Sequence, residues 1–281
     1  LTKSDEELVS DWVKSLEIEQ VSDNSFMSAP TGRDARRWGA SYMGQSLFAA
    51  ARTSSLQSPM SMQVVFLRAA TWMEPLRIEV ERLRDGRRLV TRCVRCFQRD
   101  KAVGICTLTF GETPGHLGHA PTLPDMPAPE GLGDWWKELG EVYAAGLGKR
   151  RSVWDLRSVG TLNKGQPPAQ GELPWRRTWC HPRARLPDDP LVHAAAILAV
   201  SDTALTATVG LAYPKTRPTS LDHAFWWHGE TRFDDWLLYA SESPVGQGSR
   251  ALIHGAFYAR DGRRMASVTQ ECMVPDKPSE V

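Results

Sequence analysis

The chain has 281 residues, 41% of them hydrophobic and 24% charged, which is enough apolar material for a buried core and too much for a disordered tail. Thirty-four basic residues against thirty-three acidic leave a formal net charge of +1, which argues against nucleic acid or another general polyanion as partner. No apolar run is expected to reach the roughly 20 residues of a membrane helix, and the opening stretch LTKSDEELVSDWVKSLEI is acidic and amphipathic, without the basic head and apolar segment of a secretory signal. The expectation is a cytoplasmic globular protein with no membrane partner.

In chain order, the first predicted helix is MGQSLFAAARTSS, beginning near Met43 and rich in small residues. A strand, SMQVVFLRAA, and a long hairpin, PLRIEVERLRDGRRLVTRCVRCFQRD, follow. In that hairpin Ile78, Val80 and Arg82 alternate with Arg77, Glu79 and Glu81, the period of a half-buried antiparallel strand. Cys93 and Cys96 form a C-x-x-C within a strand, where a spacing of three turns the side chains to opposite faces. No second pair completes a zinc site, so these thiols, with Cys106, Cys180 and Cys272, read as structural and no metal or cofactor is expected.

KAVGICTLTFGE closes the first half, placed at 1–112. A Pro/Gly-rich linker and a short helix, DWWKELGEVYAAG, fill 113–150; residues 111–133 alone hold five prolines and five glycines. The second half, 151–281, repeats the order. HAAAILAVSDTALTATV reads as a helix from about His193 to Val209, with Asp188, Asp189 and Pro190 as its start signals. It is apolar nearly all round, which marks a helix enclosed by protein.

After it come SLDHAFWWHG, DDWLLYASESPVGQGSRALIHGAFYARD and GRRMASVTQECMV, matching the first half at a period of about 160 residues. On this reading Phe66 corresponds to Phe225, Arg99-Asp100 to Arg260-Asp261 and Thr107 to Thr269. So long a period is a duplicated domain and not a stacked array. One enclosed helix per half with an antiparallel sheet curled round it gives an α+β fold.

Three polar residues stand where apolar ones are expected. Asp202 interrupts the second helix, and its helical neighbours are Leu198, Leu205 and Val209. Gln270 shares a strand face with Ala266, Val268, Cys272 and Val274, and Ser220 opens the strand SLDHAFWWH. Each alone has an ordinary explanation: an aspartate capping a neighbouring loop or pairing an arginine, an amide bonded to adjacent backbone, a hydroxyl at a strand start. Their joint placement in one half is what draws attention. His223 and His228, either side of the Trp226-Trp227 pair, read as packing residues with satisfied ring nitrogens.

Several ordered segments resemble one family. RRWGASYMGQSLFAAA is similar to its R-x-(V)FGG-x-x-x-GQ-x-L-x-AA segment, and FLRAATWMEPLRIEVERLRDGRRLVTR to its FLRPG…LRDG block. LPDDPLVHAAAILAVSD, SLDHAFWWH, WLLYASESP and GAFYARDGRRMASVTQE resemble its LPDD-x-x-x-H…ASD, T-x-DH-x-x-WFH, WLLY-x-x-ES and DG-x-x-x-AS-x-x-QE runs. The chain is identified by these as resembling the TesB-like double-hotdog acyl-CoA thioesterases of the thioesterase II type, from roughly Leu8 to Val274.

That resemblance implies two tandem hotdog units, an acyl-CoA substrate and assembly into a homo-oligomer, a dimer or tetramer. It also implies catalysis by an Asp, a Thr and a Gln that hold an attacking water. These fall on Asp202, Ser220 and Gln270, with serine in place of the family's threonine. Ala40 replaces one of the family's paired glycines, and Met60 and Gln63 stand where it often has histidines. Asp202 would be the general base, since a carboxylate enclosed by apolar groups takes up a proton more readily than one in water. Backbone N–H groups at the start of the first helix, near Met43, Gly44 and Gln45, are the expected oxyanion donors.

A fatty acyl-CoA hydrolase is therefore expected, with a non-catalytic acyl-CoA binder as the alternative. A hotdog hydratase is disfavoured, because the position five after Asp202 is Ala207 where that class carries a histidine. The absence of a G-x-S-x-G elbow, a Walker loop and H-E-x-x-H argues against α/β-hydrolase, nucleotide-hydrolysing and zincin chemistry.

Overall fold

A computed structural model of the chain describes residues 3–31, 36–112, 118–123, 125–135, 152–159, 171–213 and 216–275. The first half runs α1 (Asp5–Lys14), β1 (Glu19–Ser22), β2 (Ser25–Ser28), β3 (Arg36–Arg37), α2 (Gly39–Arg52), β4 (Pro59–Phe66), β5 (Ala70–Thr71), β6 (Leu76–Asp85), β7 (Leu89–Gln98) and β8 (Lys101–Gly111). The second runs β9 (Trp154–Ser158), β10 (Trp175–Pro182), α3 (Pro190–Ala212), β11 (Thr219–Ser220), β12 (Asp222–Trp227), β13 (Leu237–Gln247), β14 (Arg250–Ala259) and β15 (Arg264–Met273). The helix expected over DWWKELGEVYAAG lies almost wholly outside the described residues.

Apart from the short β3–β5 pair, all strands join one antiparallel sheet in the order β1-β2-β6-β7-β8-β4-β12-β15-β14-β13-β10-β9, with β11 also paired to β15. The two halves meet where β4 lies against β12, Val65 opposite Asp222. This is the double hotdog: two sheets fused edge to edge, each with its helix on the same inner face.

The register exposes the duplication in detail. A β-bulge between Arg82 and Arg84 recurs between Glu242 and Val245, and one between Cys96 and Phe97 recurs between Phe257 and Tyr258, 161 residues on. The turn after β7 is two residues, Arg99 and Asp100, both at positive φ (47° and 59°). Its counterpart inserts Gly262 at φ 88°, a conformation a glycine adopts without strain. Thr107 then corresponds to Thr269, since Gln63 pairs Thr107 and Ala224 pairs Thr269. The same register corrects one expected equivalence: Phe66 falls on Trp227, and Phe225 on Val64.

The helices pack antiparallel. A side chain added at Gly44 would approach Ala195, and one added at Gly39 would approach Asp202, so one helix descends as the other rises. α3 has 23 residues and is apolar enough to satisfy the length and composition of a membrane span, contrary to the sequence expectation. Its sides are occupied by protein: Ala196, Ile197, Leu198, Val200, Leu205 and Val209 are fully buried. Burying each of the Ile, Leu and Val side chains among them contributes about 1.5–3 kcal/mol.

The predicted alternation holds along β7, where Cys93 faces outward and Cys96 inward. All five cysteines are free thiols, and burial raises the Cys96 and Cys272 thiols to about 11, which keeps them protonated and unreactive.

Candidate active site

α2 begins at Gly39, four residues earlier than the sequence suggested. Its N-cap, Trp38, offers no side-chain cap. The missing acceptor arrives from the other half: Asp202 Oδ2 accepts the Ala40 N–H at 2.9 Å. A carboxylate there satisfies one of the unpaired donors of the first turn and meets the positive end of the helix dipole. Asp202 is half-buried and not wholly enclosed, although Leu198, Leu205 and Val209 around it on α3 are. The ordinary reading of this residue, a cap, is thus part of its role. Gly39 belongs to the same contact: a Cβ there would stand 2.5 Å from the Phe66 ring and 3.4 Å from Asp202 Oδ2.

Met43, Gly44 and Gln45 consequently lie a full turn inside the helix, where N–H groups bond the carbonyls four residues back. All three are buried. Gly44 is small because Leu16 packs on it, a Cβ falling 2.6 Å from Leu16 Cδ2. The Gln45 amide binds the Ser15 carbonyl and Ser28 Oγ at 2.8 Å each, and its oxygen accepts from buried Arg37 at 2.9 Å. These residues hold α2 to the N-terminal segment, and the exposed end of the helix dipole is at Gly39–Ala40 instead.

Ser220 and Gln270 are brought into contact: Gln270 Nε2 donates to Ser220 Oγ at 2.8 Å. In an unbroken strand Ser220 would share the outer face with Asp222 and Ala224. β11 and β12 are instead out of step along β15, Ser220 pairing Cys272 while Ala224 pairs Thr269. Asp222 Oδ1 accepts the Glu271 N–H at 2.8 Å at this irregularity. The slip turns Ser220 inward onto Gln270, which is fully buried on β15. The sequence showed a single strand here and did not reveal the slip.

His223, read from the sequence as a packing residue with satisfied ring nitrogens, is buried with both nitrogens bonded, and one of those bonds reaches Gln270. It is 1% exposed; its Nδ1 lies 2.7 Å from Gln270 Oε1 and its Nε2 2.9 Å from Ser201 Oγ. Burial lowers its pKa, while the charge of Asp202 and the bond to Gln270 work in the opposite direction. The available signal was its place in β12, where it alternates with Phe225 and Trp227 and must point into the core. His228 reaches Ser267 Oγ at 2.6 Å, away from these groups.

By the 161- and 162-residue correspondences, the first half has Pro59, Met62 and Leu108 in place of Ser220, His223 and Gln270. The polar constellation therefore occurs once in the sheet, and its mirror position is apolar. Among the described residues no group of three or more His, Cys, Asp or Glu side chains is placed to hold a metal ion.

Comparison with known proteins follows the same division. Residues 32–111 match the family model described as acyl-CoA thioesterase N-terminal domain, and residues 161–273 match that described as acyl-CoA thioesterase. Acyl-coenzyme A thioesterase 8 of Rattus norvegicus is 32% identical over 263 residues, covering 86% of this chain and 81% of that protein. Acyl-CoA thioesterase 2 of Haemophilus influenzae is 22% identical, covering 95% and 98%. The solved structure of the acyl-CoA thioesterase II TesB2 of Mycobacterium marinum superposes with a TM-score of 0.79 at 30% identity, over 94% of this chain and 98% of that one.

Proposed function

Because the chain belongs to the acyl-CoA thioesterase family, whose members are thioester hydrolases, we propose that it hydrolyses a fatty acyl-CoA to the free acid and coenzyme A, with Asp202, Ser220 and Gln270 as the catalytic groups. The observation that carries this reading is that the half supplying Asp202, whose carboxylate caps the N-terminus of α2, also holds the hydrogen-bonded Gln270–Ser220 pair.

In the reaction Asp202 takes a proton from a water molecule whose oxygen attacks the thioester carbonyl carbon. Negative charge moves to the carbonyl oxygen, and collapse of the tetrahedral species breaks the carbon–sulfur bond and releases the coenzyme A thiolate. Ser220 and Gln270 hold the water against one face of the carbonyl; removing one such preorganised group typically costs about 10²–10³ in rate. The N-terminus of α2 fixes the position of the carboxylate through the Ala40 N–H. Ser220 retains the hydroxyl of the family's threonine and lacks its methyl, which leaves the rotor with more freedom.

A series of saturated acyl-CoA substrates, with thiol release followed directly and binding measured in parallel, tests the proposal. Turnover that varies with chain length supports it. Saturable binding of acyl-CoA with no thiol released across the series would refute it and leave a binding protein.

A further inference from the structure

We propose that the first half binds a small monovalent anion, of halide or formate size, on the unbonded edge of the Arg37 guanidinium. The proposal does not depend on the catalytic assignment.

Arg37 lies on β3, two residues before α2 begins, and is 1% exposed. Its Nη1 donates to Ser28 Oγ at 3.1 Å and to Gln45 Oε1 at 2.9 Å, and the Trp72 ring covers the guanidinium at 4.0 Å. Nε and Nη2 are buried with no hydrogen-bond partner among the described residues. These two nitrogens make up one edge of the planar fork, whose parallel N–H groups suit a single anion. Among the described residues no carboxylate pairs with Arg37. The titratable group nearest in effect is Cys96, a thiol that burial raises to about 11 and so keeps neutral. Burial also lowers the Arg37 pKa to about 10, which still leaves the group protonated at neutral pH. An aromatic face offsets only a small part of the cost of burying a charge.

The neighbouring polar groups cannot turn to serve this edge. Ser28 Oγ accepts from Arg37 Nη1 and from Gln45 Nε2, the latter at 2.8 Å, so both of its lone pairs are taken. The Gln45 amide gives its hydrogens to Ser28 and to the Ser15 carbonyl, and its oxygen is held by Nη1.

A second sealed arginine in the same half shows what a satisfied guanidinium requires. Arg92 is fully buried, and its Nε donates to Thr53 Oγ1 at 3.0 Å. Its Nη1 reaches the Arg84 and Thr91 carbonyls at 3.0 Å each, and its Nη2 the Thr53 carbonyl at 2.7 Å and the Asp85 carboxylate. Arg92 thus has acceptors on every nitrogen and a counter-charge. Arg37 has acceptors on one nitrogen and no carboxylate. A water molecule would supply lone pairs alone, whereas an anion supplies both lone pairs and the opposing charge, and a site this enclosed takes a small one.

The test follows melting temperature as bromide or formate replaces gluconate, a bulky anion, at constant ionic strength. In the parent, the melting temperature is expected to rise by about 3 °C for each tenfold increase in anion above its dissociation constant. The two salts separate a halide from a carboxylate preference. Arg37→Met, similar in length and uncharged, should lose the rise. An equal rise in parent and variant would be a general salt effect and would overturn the proposal, as would no rise in the parent with either salt. Crystals of the parent grown in bromide or in formate decide the matter without a variant. An anomalous bromide peak, or planar formate density, against both Nε and Nη2 is expected; water alone on that edge in both crystals overturns the proposal.

Discussion

Asp202→Asn removes the proton acceptor while sparing most of what the side chain does structurally. The amide oxygen can still accept the Ala40 N–H now bonded at 2.9 Å, so the cap on α2 survives in neutral form. Losing the charge at a helix N-terminus costs about 0.3–1 kcal/mol, which lowers the melting temperature of a chain of this size by at most about 4 °C. Losing the general base should reduce turnover at least about 100-fold, equivalent to about 2.7 kcal/mol of barrier. The two quantities are thus separable: a large loss of rate with a small loss of stability. Asp202→Ala, which removes the cap as well, should melt lower by a further 1 kcal/mol or so at similar residual activity. The assay is thiol release from acyl-CoA at saturating substrate, beside thermal melts of the same preparations. An Asn variant within about threefold of the parent kcat would show that Asp202 is only a cap and that the mechanism is wrong.

Four other outcomes follow from the geometry. Gly39→Ala drives a methyl into Phe66 beside the carboxylate, so it should cost about 1–3 kcal/mol in stability and lower kcat, read from melts and initial rates. Gly44→Ala should destabilise comparably through Leu16 yet leave kcat unchanged; a selective loss of kcat would restore Gly44 to the oxyanion site. Ser220→Thr should equal or exceed the parent in kcat, because the methyl restricts the rotor without removing the hydroxyl. Burial holds the pKa values of His193, His223 and His228 below their ordinary value in the folded protein. A histidine depressed in this way stabilises the fold above its unfolded pKa of about 6.5, and that contribution is lost as pH falls toward the folded value, because the unfolded chain binds the proton more readily. Melting temperature should therefore drop between pH 7 and 5.5, and a flat profile would contradict the burial argument.

Most of the fold was legible because it rests on two periodicities and a repeat. The all-round apolar character of α3 survives in the structure, and the alternation along LRIEVERL holds from Leu76 to Val80, beyond which Glu81, Arg82 and Leu83 are all exposed. Asp202, Ser220 and Gln270 drew attention because polar groups stand out where apolar ones are expected, and the family resemblance supplied their expected roles. The start of α2 was misplaced because its cap is not local: Trp38 stands at the cap position where a Ser, Asp or Asn would mark a start, and the acceptor comes from 162 residues away in α3. Ser220 read as a hydroxyl at a strand start, and the one-residue slip against β15 that turns it onto Gln270 leaves no trace in composition. His223 read as a buried packing residue with satisfied ring nitrogens, and it is one; what the sequence pattern does not carry is that one of its partners is Gln270.

On the proposed mechanism, the pairing of α2 with Asp202 means that neither repeat owns the chemistry. One lobe brings the carboxylate and the other the peptide group that steadies it, so damage near residue 40 should reach the reaction as surely as damage near residue 202. Across the seam the opposite holds: around Met62 and Leu108 any grease of suitable volume will serve. A backbone close to two-fold in form is therefore lopsided in its tolerance of change, permissive at one end and exacting at the other.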